Sequence, residues 1–254
     1  MLLGSFKEKL RTKGVVGPFM KTGDPAFVEV AGYAGFDFVI LDMEHGPVDI
    51  FNLQNLIRAA QIAGIVPIVR TPDSNETSIS KALDVGAMGI QVPQVSNAEQ
   101  AESVVNAAKF SPQGNRGVCR FVRAADYSAK DRFEYFKDAN ENLVIIQLEG
   151  TEAINNIDDI LAVDGIDILF IGPYDLSGSL GLVGQVDHPD VHAAMKKITE
   201  KVSAKGKHVG TFVDNEKNAK LWRNNGVSYI SYSVDVGIFY EACADIVKRL
   251  NSDE

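Results

Sequence analysis

Eight short apolar runs alternate along the chain with longer segments whose apolar residues recur at helical spacing. A strand that is buried on both faces of a parallel sheet is almost wholly apolar. Strict alternation of strands and helices implies parallel strands joined by right-handed crossovers, and eight such units close into a barrel of about 250 residues. The sequence therefore predicts an α/β fold, a single (β/α)8 TIM barrel that occupies residues 1–254 as one domain.

The predicted strands are short, and predicted helices fill the segments between them. The strands are expected at residues 15–20, 38–41, 67–70, 89–93, 143–149, 168–172, 208–213 and 229–233. The helices are expected near residues 25–34, 50–63, 76–85, 97–109, 129–139, 151–161, 189–205, 215–225 and 236–250. An amphipathic helix is expected within residues 1–11, and residues 110–128 form the longest irregular segment. Because loops of that length are usually functional or disordered, we expect part of it to close the site or contact a neighbouring chain.

Charge and hydropathy exclude several classes of partner. A net charge of −9 argues against the clustered basic surface that nucleic acids require. No apolar stretch approaches the roughly 20 residues of a membrane span, and none resembles a signal peptide. The two cysteines, Cys119 and Cys243, form no paired-ligand motif, which suits a reducing compartment. We therefore expect a cytoplasmic protein with neither a nucleic-acid nor a membrane partner.

Polar side chains follow the apolar runs at the predicted carboxyl ends of several strands. Because ligands of parallel barrels bind at the carboxyl ends of the strands, these side chains are expected to share one cavity. They are Asp42, Glu44, His45, Arg70, Gln91, Gln147, Glu149 and Asp175.

Glu149 and Asp175 come from adjacent predicted strands and could form a pair of ligands for a hard divalent cation. Carboxylate oxygens with several retained waters suit Mg²⁺ or Mn²⁺. A structural explanation is also open for each residue alone, since Glu149 could cap the helix that follows and Asp175 could begin a turn. The matching polar groups on neighbouring strands favour the metal site.

The motifs at these strand ends resemble those of a known family. Asp-x-Glu-His-Gly at residues 42–46, and Gly-Pro-x-Asp-Leu-Ser at residues 172–177, are similar to motifs of the HpcH/HpaI aldolases. The similarity also includes residues 67–70 and 147–149 and spans essentially the whole chain. These enzymes are metal-dependent (class II) pyruvate aldolases, such as 4-hydroxy-2-oxoheptane-1,7-dioate aldolase, with barrels of the phosphoenolpyruvate/pyruvate type.

The resemblance implies roles for several residues and an assembly. Glu149 and Asp175 would bind Mg²⁺, Mn²⁺ or Co²⁺, and Arg70 would hold the 2-oxo acid. His45, paired with Asp84, would serve in acid–base chemistry. The chain would form a homo-oligomer, a hexamer built as a trimer of dimers that exchange carboxyl-terminal helices.

The remaining predicted site residues shape the substrate pocket. Asp42 and Glu44 are expected to orient the arginine, the metal waters and the histidine from a second layer. Arginines 116, 120 and 123 of the long loop could attract a dicarboxylate tail or form a subunit contact. The residues expected to contact substrate are Arg70, Gln147, Gly172, Pro173, Tyr174 and Phe212, of which Tyr174 and Phe212 narrow the pocket.

The favoured function is reversible cleavage of a 4-hydroxy-2-oxo acid to pyruvate and an aldehyde through a metal-stabilised pyruvate enolate. Apart from Lys21, no lysine follows a predicted strand where an imine-forming aldolase would need one. The acidic segments after strands seven and eight disfavour a phosphorylated substrate. A related metal-dependent carbon–carbon lyase acting on an acyl-CoA or a decarboxylating substrate remains an alternative, as does a binding protein that has kept the barrel without its activity.

Overall fold

Eight parallel strands form a closed barrel in which each strand pairs with the next and β8 pairs with β1. The computed structural model describes residues 2–252. The predicted (β/α)8 TIM barrel is confirmed. The strands are β1 Val15–Met20, β2 Phe38–Asp42, β3 Val66–Arg70, β4 Gly89–Val92, β5 Leu143–Leu148, β6 Ile168–Ile171, β7 His208–Val213 and β8 Tyr229–Val234.

Helices surround the barrel, and most of them connect consecutive strands. They are α1 Leu2–Thr12, α2 Pro25–Tyr33, α3 Ile50–Ile62, α4 Glu76–Asp84, α5 Ala98–Ala108, α6 Arg132–Ala139, α7 Gly150–Asn155, α8 Ile157–Ala162, α9 Pro173–Ser179, α10 Pro189–Ala204, α11 Glu216–Asn224 and α12 Asp235–Asn251. No helix within residues 2–252 is both long enough and apolar enough to cross a membrane.

Strand side chains alternate between the barrel interior and the layer beneath the helices, because successive residues of a strand point to opposite faces. On β2, Phe38 and Ile40 belong to the interior cluster, whereas Val39 and Leu41 pack with the surrounding helices. The same alternation carries Asp42, the last residue of the strand, into the interior at the carboxyl-terminal mouth of the barrel.

The amino-terminal helix closes the opposite end of the barrel. Phe6 and Leu10 of α1 are buried and belong to the interior cluster, and the Phe6 ring lies 5.9 Å from the ring of Phe38 in an edge-on contact. The amphipathic helix expected within residues 1–11 is thus confirmed for the part that is described. The carboxyl-terminal mouth is therefore the end of the barrel that remains open to ligands.

Three local predictions need correction. The single helix expected near residues 151–161 is two helices, α7 and α8, because Asn156 leaves the helical conformation and its side chain donates to the Ser96 carbonyl at 2.9 Å. No helix was predicted between the sixth strand and residue 189, but α9 lies there. In the long segment 110–128, the last residues form 3-10 turns over Arg123–Ser128.

Candidate active site

A buried arginine at the mouth of the barrel is held by two carboxylates. Asp42 accepts hydrogen bonds from Nε and Nη2 of Arg70 at 2.8 and 2.7 Å. Oε2 of Glu44 lies 2.9 Å from Nη1 of the same arginine, and the guanidinium lies over the ring of Phe19 at 4.6 Å. These contacts fix the planar guanidinium while leaving N–H donors on Nη1 and Nη2, since it carries five.

Asp42 is fully buried and is kept ionised by its partners. Burial by itself would raise the pKa of Asp42, but the hydrogen bonds and charge of Arg70 outweigh it and lower the pKa below its usual range. The backbone amides of Glu44 and His45 donate to the same carboxylate at 3.1 and 3.2 Å. Asp42 therefore organises both the arginine and the turn that carries His45.

A chain of side-chain amides connects the barrel interior to Glu149. Gln91 on β4 donates to Gln147 on β5 at 2.7 Å, and the amide nitrogen of Gln147 donates to Oε1 of Glu149. All three side chains come from inward-facing positions at the carboxyl ends of neighbouring strands. The amides hold the carboxylate of Glu149 at the mouth.

Glu149 and Asp175 line one cavity of about 630 Å³ at this mouth. Burial, together with the negative charges of Asp175 and Glu44, raises the pKa of Glu149 to about 7, against the lowering effect of the hydrogen bond from Gln147 and the charge of Arg70. Glu149 occupies the N-cap position of α7, yet its side chain makes no capping hydrogen bond. A carboxylate that is spared from capping and crowded by like charges is suited to a cation.

The donor set fits a hard divalent cation. A Cβ at position 172 would lie 2.7 Å from Oδ2 of Asp175, so the glycine leaves space beside this carboxylate. Within residues 2–252 no group of three His, Cys, Asp or Glu side chains is arranged to hold a metal. Two carboxylates would leave the other coordination positions to water and substrate, as is common for Mg²⁺.

Aromatic side chains form one wall of the mouth, which we call the aromatic wall: Phe19, Phe212 and Tyr174. The ring of Phe212 lies 6.1 Å from the rings of both Phe19 and Tyr174. The Tyr174 hydroxyl donates to Oδ2 of Asp214 at 3.0 Å. Burial, this hydrogen bond and the charges of Asp214 and Asp187 raise the pKa of Tyr174 to about 12. The predicted substrate residues Gly172 and Pro173 are buried where β6 passes into α9.

His45 and Asp84 are not brought together within one chain. The His45 side chain is 63% exposed at the carboxyl-terminal mouth, where its Nε2 lies 4.0 Å from Oε2 of Glu44. Asp84 is the last residue of α4, which ends at the amino-terminal end of the barrel, and it accepts from Nη2 of Arg116 at 2.6 Å. A strand of five residues separates the two ends by about 15 Å. The expected His45–Asp84 pair is therefore possible only between two chains.

Two of the three arginines predicted in the long loop also lie away from the pocket of their own chain. Arg116 is buried against the Phe110 ring, 4.6 Å from its centroid. Arg123 donates to the carbonyl of Val85 and to Gln61, again beside the amino-terminal end of the barrel. Arg116 and Arg123 therefore do not reach a dicarboxylate tail bound in the pocket of their own chain.

Two residues of the site were missed by sequence reasoning. Phe19 lies under Arg70, and it could have been found by extending the inward alternation of β1 to its end. Asp214 follows β7 directly, and its acidic character was noted without a partner. Its contact with Tyr174 depends on how α9 turns towards β7, which no local pattern encodes.

Comparison with known proteins gives consistent matches along nearly the whole chain. A family model described as HpcH/HpaI aldolase/citrate lyase matches residues 16–242. A 5-keto-4-deoxy-D-glucarate aldolase from Shigella boydii is 34% identical over 249 residues, 96% of each chain. A HpcH/HpaI aldolase/citrate lyase family protein from Burkholderia cenocepacia superposes with a TM-score of 0.91 at 32% identity, covering 98% of this chain and 99% of that one. The citrate synthase SbnG superposes with a TM-score of 0.87 at 32% identity, covering 98% and 97%.

Proposed function

Because the chain belongs to the HpcH/HpaI aldolase/citrate lyase family and is a carbon–carbon lyase, we propose that it reversibly cleaves 4-hydroxy-2-oxo acids to pyruvate and an aldehyde. The observation that carries the proposal is a fixed, buried arginine beside a pair of carboxylates at one barrel mouth. Cleavage between C3 and C4 leaves negative charge on the 2-oxo oxygen, and this arrangement suits that charge.

Glu149 and Asp175 would hold a divalent cation, Mg²⁺, Mn²⁺ or Co²⁺. When bound, the cation supplies Lewis-acid stabilisation of the charge that develops on the 2-oxo oxygen. Gln147 keeps the Glu149 carboxylate oriented towards the cavity. Burial and the neighbouring negative charges, which raise the pKa of Glu149, support this role, because a bound cation would favour the ionised carboxylate.

Arg70 would bind the carboxylate and the 2-oxo oxygen of the substrate through the N–H donors that Asp42 and Glu44 leave free. A guanidinium that is already fixed needs little reorganisation as negative charge develops, and such preorganised donors stabilise transition states strongly. Its planar fork and permanent charge suit this task better than an ammonium group would.

His45 would take the proton from the C4 hydroxyl as the C3–C4 bond breaks. The bonding electrons pass into the pyruvate enolate, C4 leaves as the aldehyde carbonyl, and a proton added at C3 completes the methyl group of pyruvate. An imidazole changes its protonation near neutral pH and can carry out this transfer. We further propose that Asp84 of a second copy of the chain orients His45.

A second possible function retains the enolate but changes the substrate from which it is formed. The chain would then be either a lyase that acts on an acyl-CoA or a decarboxylating enzyme. The similarity to a protein named as a citrate synthase favours keeping this possibility in the test. The products distinguish the two readings, since only the aldolase releases an aldehyde in equal amount with pyruvate.

The test is pyruvate and aldehyde release from 4-hydroxy-2-oxo acids of graded chain length, with metal removed and then restored as Mg²⁺, Mn²⁺ or Co²⁺. We expect activity only with metal. Glu149→Gln should reduce kcat/KM by about 100-fold or more, because it weakens both cation binding and charge stabilisation.

Glu152→Gln is the matched control, because it removes the same charge from an exposed position of α7. Its activity should equal that of the unmodified chain. Full activity after complete metal removal would contradict the metal-dependent mechanism. Release of pyruvate and CO₂ from oxaloacetate, with no activity on any 4-hydroxy-2-oxo acid, would favour the decarboxylating alternative.

We propose that the working form is a homo-oligomer, a hexamer of three dimers that exchange α12. The support from this chain is that α12 buries no residue beyond Asp235 and exposes apolar side chains. They are Val236, Phe239, Tyr240, Ile246, Val247 and Leu250. Light scattering coupled to size-exclusion chromatography should give a hexamer, and Phe239→Glu with Leu250→Glu should give smaller species. We place the enzyme in the cytoplasm, which cell fractionation would test.

A further inference from the structure

The cavity beside the two proposed metal ligands has a distinctive electrostatic character. Besides Glu149 and Asp175, it is lined by Tyr174, Ser179, Val183 and three glycines. No lysine, arginine or histidine among residues 2–252 lines it. One end of a 4-hydroxy-2-oxo acid would occupy the metal and Arg70, so this cavity is left for the half that becomes the aldehyde.

Three arginines of the same chain are already engaged, and Lys21, which follows β1, does not line the cavity. Arg70 is held by Asp42 and Glu44 on its Nε, Nη1 and Nη2 atoms. The buried arginines of the long loop, Arg116 and Arg123, bind groups at the other end of the barrel. A second carboxylate on the substrate would therefore find no cationic partner among the described residues that line this cavity.

Asp214 adds negative charge on the same side. It follows β7, is half-buried, and accepts a hydrogen bond of 3.0 Å from the Tyr174 hydroxyl. The phenol is thereby committed as a donor, and its ring is fixed 6.1 Å from the ring of Phe212. The aromatic wall gives carbon faces to pack against. Asp175 and Ser179 line the cavity and can accept hydrogen bonds from hydroxyl groups, and the charge of Asp214 behind Tyr174 repels anions.

We propose that the aldehyde half of the substrate is uncharged and carries hydroxyl groups, and that Asp214 selects against aldehydes that end in a carboxylate. The inference rests on the proposed aldolase function and adds the substrate class to it. Asp214 acts here as a specificity-determining residue at the edge of the aromatic wall, with Tyr174 held between it and the cavity.

The test uses pairs of acceptor aldehydes that differ in charge but hardly in size, in the direction of aldol addition to pyruvate. Glyceraldehyde and tartronate semialdehyde differ only by exchange of a hydroxymethyl group for a carboxylate, and butanal and succinate semialdehyde form a pair without hydroxyls. We expect kcat/KM to favour glyceraldehyde over tartronate semialdehyde by about tenfold or more, the scale of one like-charge contact near a protein surface. The value of kcat/KM for glyceraldehyde should also exceed that for butanal.

Asp214→Asn removes the charge but keeps an oxygen that can accept from Tyr174. In this variant the ratio of kcat/KM for glyceraldehyde to that for tartronate semialdehyde should fall several-fold. Glu216→Gln removes a charge two residues further on, at an exposed position of α11, and should leave the ratio unchanged. Raising the salt concentration from about 0.05 to 0.5 M should lower the ratio in the unmodified chain as well, which tests the charge effect without a substitution.

Exchange of the pyruvate methyl protons with deuterium oxide separates this inference from the proposed function, because it needs metal and enzyme but no aldehyde. If exchange occurs but tartronate semialdehyde is preferred, or if the ratio is insensitive to both Asp214→Asn and salt, the substrate class is wrong and enolate formation stands. If neither exchange nor addition occurs with any metal, the proposed function and this inference both fail.

Discussion

Asp42 and Arg70 are register partners on neighbouring strands, and two hydrogen bonds of 2.8 and 2.7 Å join their side chains in the buried mouth of the barrel. Breaking a buried ion pair costs several kcal/mol, because one charge is left without a partner. We therefore expect Asp42→Asn to lower the free energy of unfolding by about 3 kcal/mol, measured by urea denaturation at pH 7.

The surface pair Lys201–Asp158 provides the control, because its 2.7 Å separation matches that of the buried pair while its side chains are 38% and 69% exposed. Asp158→Asn should change stability by less than about 0.5 kcal/mol. The lowered pKa of Asp42 stabilises the fold above its unfolded pKa of about 3.9, and this contribution is lost as the pH falls further. Equal losses of unfolding free energy in the two variants would show that the buried pair contributes no more to stability than the surface pair.

Glycine is required on β1 for a steric reason. A Cβ at position 17 would lie 2.0 Å from the carbonyl oxygen of Phe38, a backbone atom that cannot move without disturbing the sheet. We expect Gly17→Ala to lower the free energy of unfolding by about 3 kcal/mol, the upper range for overpacking. In Gly4→Ala on α1 the new methyl group meets nothing within 4 Å, and this control should gain up to about 1 kcal/mol from helix propensity. A stable Gly17→Ala variant would mean that β1 and β2 can separate.

His208 should make stability depend on pH in the weakly acidic range. Burial lowers the pKa of His208 against the opposing charge of Asp167, and Nδ1 lies 3.1 Å from the Ser228 hydroxyl. Since the unfolded chain binds this proton more readily, the stabilising contribution is present above the unfolded pKa of about 6.5 and is lost as the pH falls below it. Urea titrations between about pH 7 and pH 5 should show a smaller loss for His208→Gln than for the unmodified chain. Equal losses in His208→Gln and in the unmodified chain would show that His208 does not cause the pH dependence.

Most of the barrel and part of its mouth could be predicted from the sequence, because one rule governs both. Apolar runs identified the strands, and alternation along each strand continues to the polar residues at its end. The pattern therefore predicted correctly that Arg70 and Gln147 lie at the carboxyl ends of β3 and β5. The helix α9 was missed because Gly172 and Pro173 are typical of turns, whereas Pro also suits the first turn of a helix.

The His45–Asp84 pair, which does not form within one chain, is a different case. It was carried over from a family resemblance, but the alternation of strands and helices already implies that α4 ends at the opposite end of the barrel from His45. Contacts between distant loops, such as Tyr174 with Asp214, could not be predicted at all, because they depend on how two connections turn after leaving neighbouring strands. Sequence patterns specify the strand ends better than they specify what the loops bring to them.

Cation binding at Glu149 and Asp175 should be visible as thermal stabilisation, independently of any turnover. A ligand that binds only the folded chain at 100 times its Kd stabilises it by about 2.7 kcal/mol, which corresponds to a rise in Tm of roughly 5 to 10 °C for a domain of this size. We expect Mg²⁺ or Mn²⁺ to raise the Tm of the metal-free chain by several degrees. Asp175→Asn should abolish most of the rise, because it removes one of only two protein ligands. Asp187→Asn, a substitution at an exposed aspartate outside the cavity lining, should retain the rise. An equal rise in Asp175→Asn would place the cation elsewhere and remove the Lewis acid from the proposed reaction.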